Sequence, residues 1–254
     1  MTVAGTRALP PPEQRVVAIF EHIAQQAGSP LARGMRVLDF GAGAGRHVAE
    51  FRDAGYDAWG IDQEFASHEQ GAVETELLRR VEPPDYVLPF DDGEFAFVYS
   101  TSVMEHVLDP GQALAQIARV LRPDGLSIHI FPARWRPIEP HMLVPFAGRF
   151  NSFQILRLWA TFGIRNGFQQ GLPATEVALR NAQYAKTGIS YPTALEWRLR
   201  AEPLFSYVGW GERDFVRSTR GLSPVSRLLS HIIGLPGMER LYRALHTRVL
   251  VLRR

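Results

Sequence analysis

Asp39 is followed by three glycines at alternate positions, Gly41, Gly43 and Gly45. Ahead of them Arg36-Val37-Leu38-Asp39-Phe40 is short and mostly apolar, and helical sequence begins at Arg46-His47. This reads as a strand, a tight loop and a helix start, a cradle for a nucleotide. Glycine is required because so sharp a turn needs positive φ, and because a Cβ would hold a ligand off the loop amides. A dinucleotide loop occupies the same place, but its third glycine stands three residues after the second. Here Gly45 stands two after Gly43. The acid also argues for another ligand, since a carboxylate at a strand end favours an ammonium group, whereas a pyrophosphate needs a helix N-terminus.

The elements that must position these residues alternate as a parallel sheet with crossover helices requires. A helix over Glu13 to Ala27 puts Val16, Val17, Phe20, Ile23, Ala24 and Ala27 on one face, and Gly28-Ser29-Pro30 stops it. Strand one ends at Phe40, strand two runs from Asp57 to Asp62, and a helix over Glu64 to Arg80 follows. A short strand three is expected around Asp85 to Leu88, strand four over Phe95 to Ser100, a helix over Gly111 to Leu121, and strand five over Leu126 to Phe131 after the Pro123-Asp124-Gly125 turn. Beyond Phe131 the alternation breaks down into an aromatic and proline-rich stretch with helices near Phe153 to Phe162 and Thr175 to Ala185. Leu204 to Val208 and Asp214 to Arg217 are read as two closing strands, and the rest as helical.

Of 254 residues none is cysteine, which excludes disulfides, thiolate metal sites and a cysteine nucleophile. The net charge of +2 gives no reason to expect nucleic acid, and Lys186 is the only lysine, so a Schiff base has one place to form. The N-terminal stretch has no apolar core of signal-peptide length, and no run of about 20 apolar residues is present to span a bilayer. A cytoplasmic protein is the expectation.

Further segments join the glycine loop in a recognisable order. Asp39-Phe40-Gly41-Ala42-Gly43-Ala44-Gly45 is followed by Asp62, by Leu88-Pro89-Phe90-Asp91-Asp92-Gly93-Glu94-Phe95, by Ser100-Thr101-Ser102-Val103-Met104-Glu105-His106-Val107-Leu108-Asp109-Pro110 and by Arg119-Val120-Leu121-Arg122-Pro123-Asp124-Gly125. Together they resemble motif I, the L-P-F segment, the E-H-V-x-D-P segment and the R-V-L-R-P turn of class I S-adenosylmethionine-dependent methyltransferases. The resemblance covers about Leu38 to Phe131 and implies an α/β fold, a Rossmann-like, doubly wound, mostly parallel seven-stranded sheet. To this the sequence adds an α-rich insertion after strand five and a helical C-terminal extension. It implies S-adenosylmethionine as cofactor, with Gly41, Gly43 and Gly45 against the methionine part and ribose and Asp39 near the ammonium. It further implies Asp62 on the ribose hydroxyls, Asp85 with Tyr86 near the adenine, and Ser100 by the reacting end. The expected division is a mobile arm over 1–12, a cofactor-binding core over 13–131, an acceptor-binding insertion over 132–200, closing strands over 201–222 and a basic amphipathic C-terminus over 223–254.

Methyl transfer from a sulfonium needs alignment and little water, and an oxygen or nitrogen acceptor must also lose a proton. Arg134-Trp135-Arg136-Pro137-Ile138-Glu139-Pro140-His141 follows strand five at the carboxyl edge, where ligands sit in open α/β sheets. His141 is the candidate base, Glu139 its orienting acid, and Arg134 and Arg136 candidate ligands for an anionic group on the acceptor. Some quinone-pathway members of the family hold a metal with an acid and a Glu-His pair. Glu105-His106 is such a pair, but Ser102 stands where the acid is needed, so no metal is expected; Glu105 reads as a helix-start acid. The insertion's aromatics, Phe146, Phe150, Phe153, Trp159, Phe162, Phe168, Tyr184, Tyr191 and Trp197, suit an acceptor pocket or the core of a lid. The C-terminal arginines and leucines suit peripheral contact with an anionic bilayer, docking on a partner, or a helix pair packed on the domain. The expected acceptor is a small molecule or a lipid- or sugar-linked group. The alternative is a non-catalytic protein of this fold that binds a membrane surface or a partner.

Overall fold

The computed structural model describes residues 15–63, 75–82 and 87–254. Its sheet contains β1 (Arg36–Phe40), β2 (Asp57–Asp62), β3 (Leu78–Arg80), β4 (Phe95–Thr101), β5 (Leu121–Pro132), β6 (Tyr207–Trp210) and β7 (Thr247–Arg253). The spatial order is β3-β2-β1-β4-β5-β7-β6. Neighbours are parallel except that β7 runs antiparallel to both β5 and β6. The fold is thus the Rossmann-like α/β sheet expected.

Strand alternation divides the core in two. Leu38 and Phe40 of β1, Leu250 and Leu252 of β7 and Phe131 of β5 face α3 (Pro110–Val120) and α6 (Ala194–Ala201). Val37, Phe97, Tyr99, Ile128 and Val251 face the layer of α1 (Arg15–Gln26), α2 (Arg46–Asp53) and α7 (Glu212–Ser218). On that second face Phe20, Phe51, Phe97 and Tyr99 form one aromatic cluster, with Phe51 stacked on Tyr99 at 4.5 Å between centroids. Tyr99 is the register partner of Asp39, so this cluster fixes the strand ends that carry the candidate site. Truncating one such ring to alanine costs about 3–5 kcal/mol.

α3 starts where its sequence dictates: Asp109 caps it by accepting from the Gln112 amide at 3.1 Å, and Pro110 occupies the first turn. Between β5 and β6 lie α4 (Phe153–Thr161), α5 (Ala174–Thr187) and α6. α4 and α5 enclose a small core with Met142, Val144, Leu156, Ala178 and Ile189. Trp197 of α6 is wholly buried and packs on Phe131, which anchors the end of this segment on the sheet.

Four sequence expectations are corrected. Strand three is Leu78–Arg80; Val87 and Leu88 are in no strand, and Asp85 and Tyr86 lie outside the described residues. Residues 75–77 form a 3-10 turn, so the helix expected to reach Arg80 does not, and its stretch over 64–74 lies outside the described residues. Asp214 to Arg217 lies within α7, for which Glu212 and Asp214 supply the first-turn acids that favour a helix N-terminus. The second closing strand is instead β7. The C-terminus is therefore α8 (Pro224–Ile232), α9 (Met238–Leu245) and a strand, with Val249 and Leu252 in the sheet and not on a helix. The arm over 1–12 lies outside the described residues.

Candidate functional site

β1 and β2 end side by side, and the glycine loop is tied to both. The Gly41 and Ala42 amides donate to the Ile61 carbonyl at 2.9 and 2.8 Å, and the Gly43 amide donates to Asp62 Oδ2 at 2.7 Å. Gly41, Gly43 and Gly45 all have positive φ, at 87°, 53° and 77°. A Cβ on Gly41 would meet Val103 at 2.3 Å, whereas nothing lies within 4 Å of a Cβ on Gly43. Gly41 is therefore small for packing, and Gly43 leaves open space. Asp39 is buried beneath the loop. Burial pushes its carboxyl up to about 8, and the charge of Asp62 adds to this.

A cavity of about 320 Å³ opens over the strand ends, with Gly41, Ile61 and Asp62 at one side and Thr101, Ser102 and His106 at the other. Ser102 holds a positive φ of 56°, unusual for a residue with a side chain, and its amide donates to Ile130 O at 2.8 Å. Ser100, expected by the reacting end, is fully buried, and its hydroxyl is 2.8 Å from His129 Nδ1. Ser127 donates to Val98 O at 3.0 Å, so its oxygen accepts from His129 Nε2 at 2.8 Å and leaves Nδ1 to accept from Ser100. His129 is thus a satisfied neutral sheet residue, and burial drives its pKa down to about 3. Asp85 and Tyr86 lie outside the described residues.

His106, at the edge of this cavity, belongs to a polar cluster built from three chain segments. Glu105 and His106 come from the loop between β4 and α3, Glu139 and His141 from the stretch after β5, and Gly188 and Tyr191 from beyond α5. His141 Nδ1 lies 2.6 Å from Glu139 Oε1, so the expected pair forms. The His141 and Met142 amides donate to Glu139 Oε2 at 2.9 and 2.7 Å, and Tyr191 donates to Oε1 at 3.0 Å. Burial works to raise the Glu139 carboxyl, but these hydrogen bonds hold it below its usual value. His141 is raised by its bond to Glu139, against its burial. His106 donates through Nδ1 to Gly188 O at 2.6 Å, and its ring stands edge-on to His141 at 4.7 Å. Burial lowers its pKa.

Glu105 is no helix-start acid, because α3 begins at Pro110 with Asp109 as cap. It is 1% exposed, neither carboxylate oxygen has a hydrogen-bond partner, and burial pushes it up to about 7. The two arginines separate: the charge of Arg136 acts on Glu105 and His141, that of Arg134 on Arg248 and Glu196. Of the insertion aromatics, Tyr184 stands 5.8 Å from the His141 ring, and Trp197 belongs to the main core. Gly188 and Tyr191 join the site only through the docking of the chain after α5, for which no local sequence pattern exists.

Two solved structures share the fold over most of the chain. One is an S-adenosylmethionine dependent methyltransferase from Mesorhizobium loti (TM-score 0.52, 13% identity, covering 91% of this chain and 96% of that one). The other is the Haemonchus contortus phospholethanolamine N-methyltransferase 2 (TM-score 0.53, 12% identity, covering 96% of this chain and 52% of that one). In sequence, an uncharacterized methyltransferase of Mycobacterium avium (strain 104) is 33% identical over 112 residues, 43% of this chain and 44% of that protein. One of Mycolicibacterium gilvum (strain PYR-GCK) is 28% identical over 127 residues, 49% of this chain and 50% of that protein. The similarity thus spans half or less of the length of these relatives. The family model described as a methyltransferase domain matches residues 13–200, the stretch that carries the glycine loop, Asp62 and the histidine cluster, and the chain belongs to that family.

Proposed function

We propose that the protein binds S-adenosylmethionine and directs its methyl group to an oxygen or nitrogen of a small-molecule, sugar-linked or lipid-linked acceptor. The observation that carries this reading is one cavity with Gly41 and Asp62 at one side and Ser102 and His106 at the other. A ligand held at the first side presents its reacting end to the second. The residues fit the cofactor. Asp39 is a buried carboxyl beside the negative charges of Asp62 and Glu50, a setting that an ammonium group relieves. Gly43 leaves room above the loop, and the Asp62 carboxylate, held by the Gly43 and Gln63 amides, lines the cavity beside it. Asp39, Gly41, Gly43 and Asp62 would hold the cofactor, with Gly45 setting the turn; the chemistry supplied when it binds is a methyl on a positively charged sulfur.

The chain's own residues then align and exclude water. Phe40, Ile61, Val103 and Val107 give the cavity an apolar wall. A second cavity of about 540 Å³, lined by His141, Phe168 and Tyr184 together with Asn166, Arg180 and Asn181, is a candidate place for the body of an acceptor that carries polar groups. Arg136 is the arginine suited to an anionic group on that acceptor; Arg134 answers to Arg248 and Glu196. Incubating a cell lysate with isotope-labelled S-adenosylmethionine and the protein, then identifying labelled products by mass spectrometry, tests the reading. It requires a labelled product that disappears with Asp62→Ala, and folded protein that labels nothing in any acceptor class counts against it.

A second reading, attachment to an anionic membrane surface with or without catalysis, is favoured by α8. Its Val225 and Leu228 are 67% and 63% exposed beside Arg227. Among the described residues no helix is long and apolar enough to cross a membrane. Co-sedimentation with phosphatidylserine vesicles that survives Asp62→Ala supports this surface; methyl transfer to any acceptor removes its non-catalytic form.

A further inference from the structure

We infer that Glu105, His106 and His141 form a binding site for one divalent transition-metal ion. One donor atom from each lies within 4.8 Å of the other two. Bonds of about 2.0–2.2 Å to such an ion require a closure of about an ångström, within reach of side-chain rotation. The protonation pattern fits as well as the spacing. Gly188 O can only accept, so His106 carries its hydrogen on Nδ1 and leaves the Nε2 lone pair free. Glu139 does the same for His141, whose Nδ1 it holds at 2.6 Å. Each imidazole thus has a carbonyl or carboxylate behind it, the support that orients a metal-binding histidine and raises its basicity.

The independent observation is Glu105. Its carboxylate is buried, neither oxygen has a hydrogen-bond partner, and the nearest ion-pairing group is His106 Nε2 at 3.9 Å, itself a lone-pair donor in this tautomer. Glu105, His106 and His141 turn three potential lone-pair donors toward one space, and a single cation would satisfy all three at once. Two carboxylates, Glu105 and Glu139, outweigh the single guanidinium of Arg136 nearby. Two nitrogens and one carboxylate oxygen match zinc and its first-row neighbours better than calcium or magnesium, and three protein ligands leave coordination positions open. The third ligand comes from the segment after β5. Ser102, the position at which the sequence lacks an acid, is not needed.

The role of such an ion in methyl transfer rests on the proposed function, but the site itself does not. An acceptor hydroxyl filling an open position would be acidified by the cation and release its proton to solvent. His141 cannot be a free general base and a ligand at once, so the two readings part at Nε2.

The full chain, stripped with chelator, is titrated with Zn²⁺ by calorimetry in the absence of cofactor, and with Co²⁺ by visible absorption. One equivalent of Zn²⁺ is expected with micromolar or tighter affinity, along with Co²⁺ bands of a site of four or five ligands. Glu105→Gln, His106→Gln and His141→Gln should each weaken binding at least 30-fold, while exposed His231→Gln leaves it unchanged; circular dichroism verifies that each variant is folded. Absence of stoichiometric binding, binding of an ammonium compound in its place, or binding that survives Glu105→Gln in folded protein overturns the site. Failure of methyl transfer with intact metal binding would instead fall on the proposed function.

Discussion

Cofactor binding by this chain should be coupled to the release of a proton from Asp39. The carboxyl is buried, which pushes its pKa up to about 8, with Asp62 and Glu50 contributing negative charge. It is ionised to only about 1% at pH 6 and about a quarter at pH 7.5, and pairing with an ammonium requires the ionised form. Below its pKa each pH unit is worth about 1.36 kcal/mol, a factor of ten in affinity. The ammonium of the ligand sets the upper limit, since an α-amino group loses its proton near pH 7.7–8.0. Together these give a Kd for S-adenosylmethionine that falls about 20-fold from pH 6.0 to pH 7.5 and then flattens. Isothermal titration calorimetry in buffers of different ionisation heat should register close to one proton released per cofactor at pH 6.5. Asp39→Asn should bind weakly with no pH dependence. The same substitution should stabilise the ligand-free protein, because a carboxyl whose folded pKa is raised takes stability away as pH climbs from 3.8 towards 8, by at most about 6 kcal/mol. A Kd that changes less than twofold between pH 6.0 and 7.5, with no proton release, would refute this reasoning.

Asp62→Asn leaves the Gly43 amide an acceptor but removes the charge and one acceptor oxygen; cofactor affinity should fall about 10–100-fold in direct binding, with Tm little changed. Gly41→Ala and Gly43→Ala should separate packing from binding. The first drives a Cβ into Val103 at a φ of 87° and should cost about 2 kcal/mol or more in denaturant unfolding, whereas the second meets no neighbour, costs about 1 kcal/mol and abolishes cofactor binding. His129, with its folded pKa depressed to about 3, gives stability that is present above pH 6.5 and lost as pH falls towards 3. His129→Gln should therefore flatten the decline of Tm between pH 6.5 and 5, where the native protein loses about 1.4 kcal/mol per pH unit from this residue. Trp197→Ala should cost about 3–5 kcal/mol in urea unfolding, since the ring is buried against Phe131.

The glycine loop proposed to hold the cofactor was legible because its residues sit within a few positions of strand ends, where local spacing and the need for positive φ select them: Asp39 lies in β1, Asp62 ends β2, and Gly41 and Gly43 have positive φ. The Glu139–His141 pair was legible for the same reason, two residues apart in one loop. What was not legible depends on contacts across the chain. β3 has three residues at the sheet edge, too few to show alternation. β7 reads as a basic helix because Val249 and Leu252 also fit helical spacing, and only pairing with β5, over 100 residues earlier, makes it a strand. α7 could have been read from its first-turn acids, Glu212 and Asp214, which two flanking apolar residues obscured. Glu105 and His106 met their neighbours only in the folded chain: His141 comes from the stretch after β5, and Gly188 from the end of α5.

The central claim is that the glycine loop and Asp62 hold S-adenosylmethionine. Equilibrium dialysis of the folded chain against labelled cofactor tests it most directly. One equivalent should bind, be displaced by S-adenosylhomocysteine, and be lost in Asp62→Ala whose circular dichroism is unchanged. A folded chain that retains no cofactor at millimolar concentration, at pH 7.5, would contradict it.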